Sequence, residues 1–407
     1  MRWKDDFAPE EYKDRQARAR AKMAEQGLDL LIVINPVNIN WLAAARPKSY
    51  QEFQCLLLTR DEGPMTILTR LAEVYEVQVE SLAEDVRGWG GRDPEDPIEV
   101  LGALLREKGW SGARIGFEVP RYYLSAHEYV ALKAMLGPKA VEANLLVDRL
   151  KFAKSPAELA YIRKASSLAD AGIQAFAEKC HAGMTEHQMA AEIYYAMMSR
   201  NGELAASPIN ICSGPRGSYG HGLPSERVVE AGDFMQIEYG ASHRRYHTSI
   251  GRHAYTGKPP ARLKELNDIN IAACDACMAE IKPGVPAVVP HRAARKVIED
   301  AGLLEYMWHL SGYGIGSGYP PLWAENFSMF GGSEDVIEEN IVHRAARLHP
   351  AGKRRLPPDR QRHRHQDRRR DALQDQPRHH RDLDSLGIGR WKTLSQRERV
   401  GRRWRTG

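Results

Sequence analysis

From His309 to Glu325 the chain reads His-Leu-Ser-Gly-Tyr-Gly-Ile-Gly-Ser-Gly-Tyr-Pro-Pro-Leu-Trp-Ala-Glu, with glycine at 312, 314, 316 and 318. Glycine at every second position lets a backbone turn sharply and lets a ligand approach it closely. The aromatics interleaved with those glycines, Tyr313, Tyr319 and Trp323, suit a pocket wall better than a plain core. A dinucleotide or phosphate loop is excluded, because the spacing is not G-x-G-x-x-G. Pro320-Pro321 also forbids the helix that such a loop must open. The segment belongs to a site, and the question it poses is whether that site holds metal.

Ahead of it, residues 1–148 alternate helical and strand patterns. A helix fits Pro9 to Gln26, stopped by Gly27, and Leu30 to Ile34 is a short apolar run that reads as a buried strand. Further strands fit Cys55 to Thr59, Met65 to Leu68 and Arg114 to Phe117, and helices fit Ile98 to Lys108 and Ala126 to Leu136. This is the pattern of an α/β domain. A second domain is expected over 149–341. Its entry is marked by Ser155-Pro156-Ala157-Glu158, in which serine caps, proline takes the first helical position and glutamate closes a capping box. Phe234 to Tyr239 and Arg244 to Tyr255 read as two strands around a turn at Gly240-Ala241-Ser242.

The net charge of +5 hides two unlike parts. Val342 to Gly407 holds 20 Lys and Arg against 7 Asp and Glu, so the remaining body is acidic. Residues 342–407 contain no Phe, Tyr or Met, and alone they read as a disordered basic tail. An acidic body argues against nucleic acid as a partner. No apolar run is long enough to span a membrane, and the N-terminus lacks the apolar core of a signal peptide, so a cytoplasmic location is expected. The five scattered cysteines argue against a disulfide framework. Cys274-x-x-Cys277 lies inside a helical pattern over Ala261 to Ile281 and reads as packing.

Two residues carry the chemistry best. His221, among glycines on a loop, can take and give a proton near neutral pH, although a lone histidine of this kind is more often a plain surface residue. Glu238 follows apolar neighbours in Met235-Gln236-Ile237-Glu238-Tyr239. A carboxylate partly removed from water can act as base, nucleophile or amidinium partner, or it can simply face outward from its strand. Arg245 and Arg252 could grip a substrate carboxylate or lie on a solvated strand edge.

Taken in order, these segments resemble the creatinase, aminopeptidase P and prolidase family, whose catalytic domain is the pita-bread fold. Arg149 to Ala165 resembles the family's entry helix. Gly232 to Gly240 resembles its first ligand strand, and His309-x-x-Gly-x-Gly-Ile-Gly316 its histidine motif. The resemblance implies an α/β (α+β) chain with a creatinase-type N-terminal domain before the pita-bread domain, acting on a small molecule as a homodimer. The family's metallopeptidases hold a dinuclear manganese or cobalt site with two aspartates, a histidine and two glutamates. The matching positions here carry Glu238, Ser249 and Tyr313, and serine and tyrosine are poor ligands for such a site. The closer likeness is to the metal-free members, creatinase and ectoine hydrolase, which open C–N bonds of amidine-like substrates. That likeness implies His221 and Glu238 as catalytic residues. It implies substrate contacts from His309, Tyr313, Tyr319, Trp323 and either Arg245 or Arg252, with no metal. Gly251 stands where creatinase has a glutamate, which favours the ectoine hydrolase type. A Xaa-Pro peptidase with altered ligands and a non-catalytic binding protein are the other classes the pattern allows. The family should continue past Val342 with strands and its last glutamates. The Arg-rich sequence found there is what a GC-rich gene gives in the wrong frame, so a frameshift near residue 342 is expected.

Overall fold

The computed structural model describes residues 2–307 and 310–345. The basic tail beyond 345 and His309 lie outside the described residues. The chain order is α1 (Pro9–Glu25), β1 (Leu30–Val33), α2 (Pro36–Ala43), β2 (Cys55–Thr59), β3 (Thr66–Arg70), α3 (Val74–Glu80), β4 (Asp85–Trp89), α4 (Pro97–Glu107), β5 (Ile115–Phe117), α5 (Ala126–Leu136), β6 (Val141–Glu142) and α6 (Leu146–Leu150). There follow α7 (Pro156–Lys179), α8 (Glu186–Met198), β7 (Asn210–Ser213), β8 (Phe234–His243), β9 (Tyr246–Tyr255), α9 (Ala261–Ala279), α10 (Val288–Asp300), β10 (Leu310–Tyr319), β11 (Leu322–Phe330) and β12 (His343–Ala345).

The first half builds one mixed sheet in the order β4-β3-β2-β1-β5-β6. All four residues of β1 are buried, as a central strand covered on both faces requires. Its two faces feed separate apolar clusters, one around Leu31, Val33 and Trp41 and the other around Leu30, Ile32 and Phe117. Ser125 and Glu128 close their capping box, and α5 begins and ends where the sequence pattern predicts.

The second half builds an antiparallel sheet in the order β11-β10-β9-β8-β7, with β12 paired to β10. Ser155 caps α7 and Glu158 returns the bond, giving a 24-residue helix whose Ala165, Leu168, Ala169, Gly172 and Phe176 face the sheet. Met235, Ile237, Tyr239 and Ala241 of β8 pack against α7 and α8 in one cluster. The period of a strand then turns Gln236, Glu238 and Gly240 to the opposite face. All five cysteines are free and buried, and Cys277 packs in the apolar cluster beneath α9 and α10.

The β8–β9 turn is not where the glycine suggests. β8 runs unbroken through Gly240, and the chain reverses at Arg244-Arg245 with φ of 54° and 63°. Two successive left-handed residues are what a tight hairpin needs, and Asn-Gly usually supplies them. Here the arginines are held instead by contacts: Arg244 pairs with Asp6, and Glu203 accepts from the Arg245 backbone N–H at 2.9 Å. Nor is the 312–318 run a sharp turn. It is strand β10, and the register against β11 shifts between Tyr313 and Ile315 and again before Tyr319.

Candidate active site

The face of the second sheet away from α7 and α8 is built around Glu238. Its neighbours across the strands are Asn210 on β7 and Gly251 on β9, and Ser249 lies opposite Gly240. Glu238 is 9% exposed, a carboxylate drawn out of water but reachable. Gly240 admits the Trp323 ring, for a Cβ at 240 would stand 2.9 Å from two of its carbons. The Trp323 indole N–H donates to the Tyr313 hydroxyl at 3.1 Å. Glu238, Trp323 and Tyr313 are therefore gathered on one face by three separate strands.

The loop that carries His221 is tied to this face through the residues on either side of it. Gln236, two residues before Glu238 on the same side, donates its amide to the Gly220 carbonyl at 3.2 Å. On the other flank the Gly222 carbonyl accepts from the Ile211 N–H at 3.1 Å and from the Cys212 thiol at 3.3 Å. A Cβ at 222 would overlap the Cys212 sulfur, so only glycine lets the loop sit this close. His221 itself is exposed. The base of the loop is organised by Glu186, fully buried, which accepts from Ser213 N–H at 2.8 Å and Ser225 N–H at 3.0 Å and pairs with Arg216.

Other residues expected at the site are elsewhere. Arg252 is paired with Ile237, whose side chain lies in the α7–α8 core, so strand alternation sends Arg252 to the helix side of the sheet. The sequence shows that residues of one strand cannot all share a pocket, but not which parity faces Glu238. Arg245 and Tyr319 are together, the guanidinium 4.3 Å from the ring centre, but at the seam with the N-terminal domain. There Tyr319 also meets the Tyr50 ring at 5.2 Å, and Tyr123 donates to its carbonyl at 3.2 Å and to that of Pro320 at 2.9 Å. Burial pushes the Tyr319 phenol well above its usual range, and its hydroxyl has no hydrogen-bond partner. Gly314 and Gly316 leave room for Glu325 of β11 rather than for a ligand. Glu325 pairs there with Lys154 at 2.5 Å, both side chains being nearly inaccessible.

Asn210 and Gln236 also lie on the Glu238 face, and the sequence does not single them out. The strand alternation around Glu238 would have marked Gln236, but nothing local marks Asn210, which arrives by pairing.

At Glu238, Ser249 and Tyr313, the three of the five ligand positions that the resemblance matches within the described residues, the face offers one carboxylate, one alcohol and one phenol. The Ser249 hydroxyl is buried without a partner, and the Tyr313 hydroxyl is engaged by Trp323. Among the described residues no group of three His, Cys, Asp or Glu could hold a metal ion. This donor set does not fit a dinuclear site.

An α/β domain leads into a helix-backed antiparallel sheet whose open face carries a carboxylate, a histidine loop and aromatic rings, and the family matches make the chain a two-domain hydrolase. Residues 15–152 match the creatinase/prolidase N-terminal domain and residues 160–344 match metallopeptidase family M24, and the chain belongs to that family. It is 29% identical over 312 residues to a probable dipeptidase, PepE, of Mycobacterium tuberculosis, covering 76% of this chain and 81% of that one. It is 24% identical over 349 residues to the ectoine hydrolase of Halomonas elongata, covering 82% and 87%. The fold is shared with a Xaa-Pro dipeptidase from Bacillus anthracis at a TM-score of 0.70 and 22% identity, over 83% of this chain and 90% of that one.

Proposed function

We propose that this hydrolase cleaves a C–N bond in a small amidine or cyclic amidine without a metal ion, in the manner of ectoine hydrolase and creatinase. The observation that supports the reading is the donor set of the open face, where Glu238, Ser249 and Tyr313, matched by the resemblance to three of the family's metal-ligand positions, offer one carboxylate, an alcohol and a phenol. Glu238 pairs with the cationic amidine, or attacks its carbon. Water adds to that carbon, the C–N bond breaks, and the leaving nitrogen takes its proton from His221, which recovers one from the water. Trp323 and Tyr313 form the wall against which the cation lies, worth about 1–2 kcal/mol once desolvated. The enzyme acts as a cytoplasmic homodimer on a small molecule. Neither arginine takes the grip on a substrate carboxylate: Arg252 lies on the helix side of the sheet and Arg245 at the seam with the N-terminal domain.

A second reading is favoured by the family's description as metallopeptidases and by the dipeptidase among the relatives: cleavage of a Xaa-Pro dipeptide with manganese or cobalt. One experiment separates the two. The protein is freed of metal with a chelator and assayed against ectoine, creatine and a Xaa-Pro dipeptide, with and without manganese. Metal-free turnover of an amidine supports the first reading. Dipeptide cleavage that appears only with manganese rejects it. The same assay on a chain translated in the shifted frame after residue 342 tests the frameshift, which fails if neither shifted frame restores the family's strands.

A further inference from the structure

Away from the Glu238 face the two domains border a half-open cavity of about 330 Å³. The N-terminal half contributes Glu118, Arg121 and Asp148 to its wall, and the second sheet contributes Ser317 and Glu325. The charges around it do not pair off evenly. Asp148 is held by Lys151 at 2.9 Å, and Glu325 by Lys154 at 2.5 Å. Glu118 receives only neutral donors, the N–H groups of Ile34 at 2.9 Å and Asn35 at 2.8 Å and the Asn38 amide at 2.7 Å. It is 5% exposed. Arg121, exposed at the mouth, lies 5.1 Å from the Tyr122 ring centre and has no carboxylate partner among the described residues. The Ser317 hydroxyl is unused as well, with 8% of the residue exposed and no hydrogen-bond partner.

A buried anion without a cation, a cation at the rim without an anion, and an idle hydroxyl on the wall are complementary to one kind of molecule. We propose that this interdomain cavity binds a small zwitterion of the amino-acid class, its ammonium group toward Glu118 and the Ser317 hydroxyl and its carboxylate toward Arg121. The volume is at the lower end of ligand sites, suited to one amino acid rather than a peptide. The site is distinct from the Glu238 face and does not depend on which reaction that face performs. Occupancy ties β10 and β11, which carry Tyr313 and Trp323, to the N-terminal domain.

Binding also has a proton signature. Burial, and after it the neighbouring Asp148 charge, push the Glu118 carboxyl up to about 7. The charged groups around it are Asp148 and Lys151 from its own domain, Arg121 at the mouth, and the Lys154–Glu325 pair across the cavity. An ammonium ion favours the ionised carboxylate, so binding releases a proton near neutral pH and tightens as pH rises through that value.

The test is calorimetry on the full chain with γ-aminobutyrate, against butyrate and n-butylammonium, each of which carries one of its two charges. γ-Aminobutyrate is expected to bind one per chain, at least ~10-fold more tightly than either control, with proton release that shows as a dependence of enthalpy on buffer. Arg121→Ala, a surface change that leaves the fold intact, should reduce its affinity to that of n-butylammonium, and Leu322→Trp should block the cavity. Equal binding of the singly charged probes overturns the proposal. So does binding indifferent to both substitutions, or binding lost in Glu238→Gln but kept in Leu322→Trp.

Discussion

Replacing Gly240 by alanine tests whether the Trp323 wall is part of the catalytic face. Gly240 lies in the middle of β8 with an ordinary strand conformation, so alanine meets no backbone penalty there. The cost is steric. The new Cβ would stand 2.9 Å from two ring carbons of Trp323 and 3.1 Å from the Ala205 Cβ, and the indole must move. Overpacking of this kind costs about 1–3 kcal/mol. For a domain of this size that is a fall in Tm of about 2–12 °C. A displaced indole also loses its hydrogen bond to the Tyr313 hydroxyl. If the two rings hold the substrate cation, KM should rise by about 5–30-fold while kcat changes less, matching the ~1–2 kcal/mol of that contact. The assay is initial-rate kinetics on the substrate identified in the metal-free screen, with near-ultraviolet circular dichroism reporting the indole. Gly240→Ala combined with Trp323→Leu should lose less stability than the sum of the two, because the clash is gone. An unchanged Tm with an unchanged KM would refute the packing argument. A lowered Tm with unchanged KM would remove Trp323 from the substrate wall.

His221→Ala should lower turnover at least ~100-fold if the imidazole carries the proton, with little change in Tm because the residue is exposed; a near-normal rate removes it from the mechanism. Lys154→Met leaves the Glu325 carboxylate buried without its cation and should cost about 3–5 kcal/mol. Burial already raises the Glu325 carboxyl above its usual range, and losing Lys154 raises it further. The neutral form is therefore the tolerated one, and the loss should be small in acid and grow as pH rises to neutrality; an equal loss at both ends contradicts this. Stability should also fall in acid through His247, which burial holds neutral with a pKa lowered to about 3. Its unfolded form takes up a proton below ~6.5, so the loss accumulates from there downward at up to ~1.4 kcal/mol per pH unit. His247→Gln should flatten that part of a pH–Tm curve.

Helix starts were legible because their signals are local. Ser155-Pro156-Ala157-Glu158 and Ser125 with Glu128 name their own caps, and no distant residue can change that. The hairpin was misread for the complementary reason. Gly240 carries the usual mark of a turn, yet its missing side chain serves Trp323, more than eighty residues further along the chain. The true reversal, Arg244-Arg245, carries no mark because its unusual backbone is held by Asp6 and Glu203. The site was legible in its types and only partly in its members. Glu238, Tyr313 and Trp323 share a face. Tyr319 passes to the seam because the register of β10 shifts twice on the way, which no periodic pattern predicts.

Glu158 has a consequence for the order in which this protein can be made. Its carboxylate accepts from the Trp41 indole at 3.0 Å and the Tyr246 hydroxyl at 2.8 Å, and lies 3.5 Å from the Arg15 guanidinium. On the ribosome, Arg15 and Trp41 emerge more than a hundred residues before the acid that completes their surroundings, and Tyr246 almost ninety after it. Until then Arg15 pairs with Glu11 of its own helix, at 2.8 Å, and its second carboxylate comes only when α7 docks. The N-terminal domain's last step of consolidation waits for the second domain to arrive.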